Sequence, residues 1–269
     1  MNRIDRAFKG LKARKEKAFI TYITAGDPSL AMTAKLVGSL EKAGVDLIEL
    51  GIPFSDPLAD GPVIQAASKR ALDRGATLHK IFEMVRALRR KCAIPIVFMT
   101  YYNPVLRHGL AKFFADCRGC GVDGVIVPDL PCDEAKDLMR CAKREKVAAI
   151  FLAAPTSTTA RLRTIVKNSA GFIYYVSLTG VTGARAKLPP EVISKVKTIK
   201  RMTKKPVCVG FGVSTPGQAM GIAKVADGVI VGSAIVRVID NSPRGRLVKK
   251  VSSFSKRLAD AVHKGEGGR

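Results

Sequence analysis

No apolar run in this 269-residue chain is long enough to cross a bilayer. Residues 1–14 also lack the apolar stretch of a secretory signal and carry Arg3, Arg6, Lys9 and Lys12 instead. The cytoplasm is therefore the expected compartment. Tryptophan is absent and aromatic residues make up 6% of the chain, too few to interleave with basic side chains as a single-strand nucleic-acid platform requires. Histidine is scarce too. His79, His108 and His263 stand in unrelated polar contexts, with no spacing for a metal site or a catalytic triad. No linker rich in Pro, Gly or Ser divides the chain, so residues 1–269 read as one domain.

Acidic residues are the other shortage, with 22 Asp and Glu against 46 Lys and Arg, a net charge of +24 and a pI near 10.1. Such a balance favours polyanions. The basic residues are spread over helix-like segments, however, as in Arg86, Arg89, Arg90 and Lys91. Solvated helix faces and no specific nucleic-acid partner are the expectation. Of the cysteines, Cys117 and Cys120 have the spacing of zinc ligands, but Cys132 and Cys141 lie too far apart, across a helix start, to complete a knuckle. Reduced, buried thiols are the simpler reading, and no metal is expected.

What the chain does have is 47% hydrophobic content with a mean hydropathy of +0.11, enough to bury a large core. Short β-branched runs alternate with longer amphipathic ones, the rhythm of a parallel sheet. The strand-like runs are Ala18–Ile23, Asp46–Gly51, Pro95–Tyr101, Gly124–Val127, Ala148–Leu152, Gly171–Val176, Pro206–Gly210 and Gly228–Val231. Helical segments begin near Leu30, Pro62, Gly109, Asp133, Thr158, Pro189 and Ser214, and a last one runs from about Arg246 to Val262. Ile4, Phe8 and Leu11 add a helix before the first strand. Eight such units in roughly 250 residues fit a closed (β/α)8 TIM barrel, here with an extra N-terminal helix. The rival, an open doubly wound sheet, calls for a glycine fingerprint after the first strand; Thr24-Ala25-Gly26-Asp27-Pro28 has a single glycine.

Alternation along the second strand sets Leu47, Glu49 and Gly51 on one face and Asp46, Ile48 and Leu50 on the other. Glu49 is then expected in the barrel mouth, desolvated, with a pKa lifted toward the range of proton transfer. The competing placement turns it to the helices, beside an arginine. Asp60 supplies a second carboxylate from the following loop, unless it only caps the helix that starts at Pro62. Gly210-Phe211-Gly212 and Gly232-Ser233-Ala234 form glycine turns after the seventh and eighth strands, where barrel enzymes hold phosphate on backbone N–H groups. The Gly- and Thr-rich loop Ser177–Pro189 has the composition of a lid, and Tyr174 faces either the mouth or an ordinary core.

Taken together, Glu49 with Leu50-Gly51-Ile52-Pro53-Phe54-Ser55-Asp56-Pro57-Leu58-Ala59-Asp60-Gly61-Pro62, then Pro128-Asp129-Leu130-Pro131, Gly180-Val181-Thr182-Gly183, Gly210-Phe211-Gly212 and Gly232-Ser233-Ala234 resemble the tryptophan synthase α-subunit family over nearly the whole chain. The resemblance implies a (β/α)8 barrel that cleaves indole-3-glycerol phosphate to indole and glyceraldehyde 3-phosphate. It implies Glu49 as general acid and base and Asp60 as partner of the indole N–H. Tyr174 and Thr182 would contact substrate, with Gly183, Phe211, Gly212, Gly232 and Ser233 at the phosphate. No cofactor is implied in this chain. The implied partner is a pyridoxal-phosphate β subunit in an α2β2 complex, facing loops that carry Pro53, Asp56, Asn103, Pro104, Asp129 and Pro131. Two other possibilities stand beside it. A related phosphate-binding barrel would want a lysine acid at a strand end, which no strand end here offers, and the third is a non-catalytic regulatory or polyanion-binding protein.

Overall fold

The computed structural model describes residues 2–176, 188–210 and 212–264. Nine parallel strands form one sheet: β1 (Ala18–Thr24), β2 (Leu47–Gly51), β3 (Ile96–Met99), β4 (Gly124–Ile126), β5 (Ala148–Ile150), β6 (Leu152–Ala153), β7 (Ile173–Val176), β8 (Val207–Gly210) and β9 (Gly228–Val231). Their order is β5-β4-β3-β2-β1-β9-β8-β7-β6. The two ends of that ribbon, β5 and β6, are parted in the chain only by Phe151. They are two pieces of the expected fifth strand, one pairing with β4 and the other with β7, so the sheet returns on itself as an eight-staved barrel.

The helices are α1 (Arg3–Ala13), α2 (Leu30–Lys42), α3 (Pro62–Asp73), α4 (Leu78–Leu88), α5 (Tyr102–His108), α6 (Leu110–Cys120), α7 (Lys136–Arg144), α8 (Thr159–Asn168), α9 (Pro190–Met202), α10 (Pro216–Ala223), α11 (Ser233–Asp240) and α12 (Leu247–His263). They ring the sheet, with α2 on α4, α4 on α6, α6 on α7 and α12 closing back onto α2. Several were not separated in the sequence reading. One helical segment was expected between the second and third strands, yet Gly75 in the left-handed region ends α3, and the Thr77 hydroxyl accepts from the Lys80 N–H to start α4. A second extra helix, α5, follows β3. Its first N–H, on Tyr102, is bound by the Asp129 carboxylate at 2.9 Å from a loop distant in sequence.

Alternation along the strands sorts the core into two layers. Ile20, Leu47, Val97, Ile126, Phe172 and Ile230 fill the barrel interior. Ile23, Ile48, Leu50 and Phe98 belong instead to the layer beneath the helices. The N-terminal end of the barrel is plugged by α1, whose Ile4 is fully buried and whose Phe8 and Leu11 pack beside it. A capping box between Asn2 and Asp5 starts that helix. The buried Asp123 carboxylate fastens it by accepting from Arg3 at 3.1 Å and Arg89 at 2.8 Å, and from the Ile96 N–H at 2.9 Å. Ile4→Ala is expected to destabilise the protein by about 2–5 kcal/mol in urea unfolding, because the well-packed plug leaves a cavity when shortened. A loss below about 0.5 kcal/mol would show that α1 is dispensable to the core.

Candidate active site

Glu49 lies on β2 with Tyr22 of β1 as its register partner, so both side chains enter the barrel at adjacent positions. It is 2% exposed, and its Oε1 has no hydrogen-bond partner among the described residues. The placement against the helices beside an arginine is not the one observed. Burial, and after it the nearby Asp60 charge, push the Glu49 carboxyl up from 4.5 to about 8. At neutral pH the group therefore carries its proton. Two acids this close do not readily ionise together, and the more deeply buried one keeps the hydrogen.

Asp60 is half-buried on the loop after β2. It does not cap α3: the capping position is Gly61, with no side-chain cap, and Asp60 contributes to the first turn only through its carbonyl, which accepts from Gln65 Nε2 at 2.8 Å. Its carboxylate is left for the cleft. Burial raises its pKa, and a hydrogen bond from the Tyr101 hydroxyl opposes that rise. Tyr101, at the end of β3, also accepts from the Ala59 N–H at 3.0 Å and packs against Phe54 with ring centroids 5.4 Å apart. The hydroxyl thus ties the loop bearing Asp60 to the barrel rim.

Opposite these acids stands the end of the barrel formed by β7, β8 and β9. Tyr174 faces inward, packed with Phe172 and Cys208, and its hydroxyl lies 2.8 Å from where a Cβ on Gly210 would stand. Gly212 takes a φ of +45°, a turn that L side chains resist. The two glycine turns differ in what they leave open. At α10, Thr215 and Gln218 form a capping box, and the Gln218 side chain also accepts from the Ser214 N–H at 2.9 Å. At α11, Gly232 is the cap and no side chain covers the first turn, which starts at Ser233. The Ile235 N–H turns back to the Gly232 carbonyl at 2.9 Å, while the Ser233 and Ala234 N–H groups have no partner among the described residues, and the helix dipole there favours an anion. Thr182, Gly183 and Phe211 lie outside the described residues, as does most of the segment read as a lid.

The other singled-out residues sit at the same rim. Asp56, Asn103 and Asp129 are exposed, Pro104 and Pro131 are half-buried, and Pro53 is buried within the chain. Asn103 and Pro104 are not on a loop, as expected, but in the first turn of α5, where proline is tolerated because its missing N–H has no helical acceptor. Sequence reasoning passed over Tyr22 and Tyr101. The signal existed for both, as inward alternation on β1 and a position at the C-terminal end of a barrel strand. Among the described residues no three His, Cys, Asp or Glu side chains are grouped to hold a metal ion.

A parallel barrel with a protonated buried acid and a second carboxylate at one rim, facing an uncapped helix start, has the construction of a barrel enzyme for acid–base chemistry on a phosphorylated substrate. The sequence pattern of the family described as "Tryptophan synthase alpha chain" matches residues 8–263. The tryptophan synthase alpha chain of Geobacter sulfurreducens is 50% identical over 262 residues, covering 97% of this chain and 99% of the relative. That of Geotalea daltonii is 51% identical over 262 residues, with the same coverage of 97% and 99%. The crystal structure of tryptophan synthase subunit alpha from Legionella pneumophila superposes with a TM-score of 0.91 at 37% identity, covering 97% of this chain and 98% of that one. The chain belongs to the tryptophan synthase alpha chain family and is a lyase of tryptophan biosynthesis.

The Glu49 pKa carries a stability consequence. Between pH 4.5 and about 8 the folded state holds a proton that the unfolded chain has released, so the parent loses stability as pH rises through that window. Glu49→Gln has no such dependence. Its stability relative to the parent should grow by about 2–4 kcal/mol from pH 5 to pH 8 in urea unfolding. A difference independent of pH would mean that the carboxyl ionises at its ordinary value.

Proposed function

We propose that Glu49 and Asp60 catalyse the retro-aldol cleavage of indole-3-glycerol phosphate to indole and glyceraldehyde 3-phosphate. The observation that supports this most directly is a buried carboxyl whose Oε1 has no hydrogen-bond partner among the described residues, beside a second carboxylate at the C-terminal rim. The ring carbon bearing the side chain is a poor leaving group until it is protonated. The neutral Glu49 carboxyl gives its proton to that carbon, and positive charge spreads to the ring nitrogen. Asp60 accepts a hydrogen bond from the ring N–H and stabilises the cation. The Glu49 carboxylate then takes the proton of the hydroxyl on the carbon attached to the ring. The O–H electrons become the aldehyde C=O, the carbon–carbon bond breaks, and its electrons return to the ring to give indole. Glu49 finishes protonated, ready for the next turnover.

The phosphate belongs on the backbone N–H groups at Gly212, Gly232 and Ser233; Gly183 and Phe211 are assigned to the phosphate, and Thr182 to the lid contact with Asp60, by the family resemblance alone. Tyr174 borders the ring from β7. An alpha chain by its family name implies a beta-chain partner. The reading extends this to a cytoplasmic α2β2 complex, in which the beta chain carries pyridoxal phosphate and consumes the indole. Leu58, 92% exposed on the loop between the two acids' segments, and Leu106, 55% exposed on α5, lie at the rim with Asp56, Asn103 and Asp129. Apolar side chains so exposed favour a partner surface over water. No helix among the described residues is long and apolar enough to cross a membrane.

Two measurements test this reading. Glu49→Gln should lower kcat for indole release by about 10²–10⁴-fold with a small change in KM, and Asp60→Asn should lower it as well; turnover at parental rates in both variants excludes the mechanism. Leu58→Asp should weaken association with a tryptophan synthase beta chain by about tenfold or more in titration calorimetry, while leaving the fold intact. Unchanged affinity would move the interface away from this loop.

A further inference from the structure

Tyr22 stands on the one stave between Glu49 and the open helix start of α11. Its strand, β1, lies between β2, which bears Glu49, and β9, which leads into the open start of α11. The side chain spans that gap. Near its root, a Cβ on Gly232 would stand 3.4 Å from Tyr22 Cβ; at its tip, a Cβ on Gly51 would overlap the hydroxyl oxygen. Only glycine at position 51 therefore lets the phenol lie where it does. Tyr22 is 5% exposed, and its hydroxyl has one partner among the described residues, the Thr24 hydroxyl, at a long 3.4 Å. A buried donor so weakly engaged is costly unless something else accepts its hydrogen. Burial and the nearby Asp60 charge hold the phenol neutral, so it remains a donor.

Resting on the proposed cleavage, we infer that the Tyr22 hydroxyl donates a hydrogen bond to the glycerol-chain hydroxyl that Glu49 does not deprotonate, between the ring at the carboxylates and the phosphate at α11. Tyr22 then makes the site selective for an oxygenated three-carbon arm. It is a substrate-binding group and takes no part in the proton transfers of Glu49. The strand order fixes the assignment. An arm running from β2 to the end of β9 crosses β1, and Tyr22 is the residue of β1 that enters the barrel beside Glu49.

The test compares two ligands on two proteins. Indole-3-glycerol phosphate carries the hydroxyls; indole-3-propanol phosphate keeps the ring, chain length and phosphate but lacks both. For Tyr22→Phe, KM for the substrate should rise by about three- to tenfold, while the inhibition constant of the propanol compound stays within about twofold of the parent. Gly51→Ala displaces the hydroxyl without removing it and should give the same split, which keeps the test open if Tyr22→Phe folds poorly. Equal weakening of both ligands, or an unchanged substrate KM, overturns the inference. Absence of indole release from the parent protein overturns the lyase mechanism instead, so the two failures are separable.

Discussion

Everything at the rim depends on taking one carboxyl out of water. Glu49 is inside the barrel because β2 alternates, and it is dry because the sheet closes. Burial inside the barrel shifts a side chain that is ordinarily charged at neutral pH toward its protonated form. Asp60 reinforces the effect by charge while remaining wetter itself; burial raises its carboxyl and the Tyr101 hydroxyl opposes that rise. Two identical chemical groups thus sit in different surroundings.

The opposite end of the barrel holds the structure together. There α1 seals the interior, and Asp123 gathers two arginines and a strand N–H at one buried carboxylate. This network makes no contribution to the chemistry described above. Its effect is to keep the staves in register at one end, so that the other end can carry long loops, a buried acid whose Oε1 is unpartnered among the described residues and a helix start without a side-chain cap. Stability and function occupy opposite faces, as barrels allow.

Much of this was legible in the chain because period and punctuation carry it. The alternation from Leu47 to Gly51 placed Glu49 correctly on the inner face, and Ile4, Phe8 and Leu11 announced α1. The glycine turns after the seventh and eighth strands were visible too, though not the difference between them, since Gln218 folding back on Ser214 is a matter of side-chain geometry. What stayed hidden depends on contacts across the fold. α5 begins where Asp129, from another loop, binds its first N–H. The reach of Tyr22 is set by a glycine on the neighbouring strand, and the hydrogen bond from the Ala59 N–H to Tyr101 joins two loops distant in sequence. Local propensity contains none of these pairings.

Leu58 stands almost wholly in water on a chain whose net charge is +24. The two features act against each other. An apolar knob at a rim invites copies of the same molecule to cluster, while so large a charge of one sign drives them apart over a distance of about 10 Å in dilute salt. Colloidal repulsion thus guards a sticky spot until a differently charged surface arrives, and concentrated electrolyte strips that guard away.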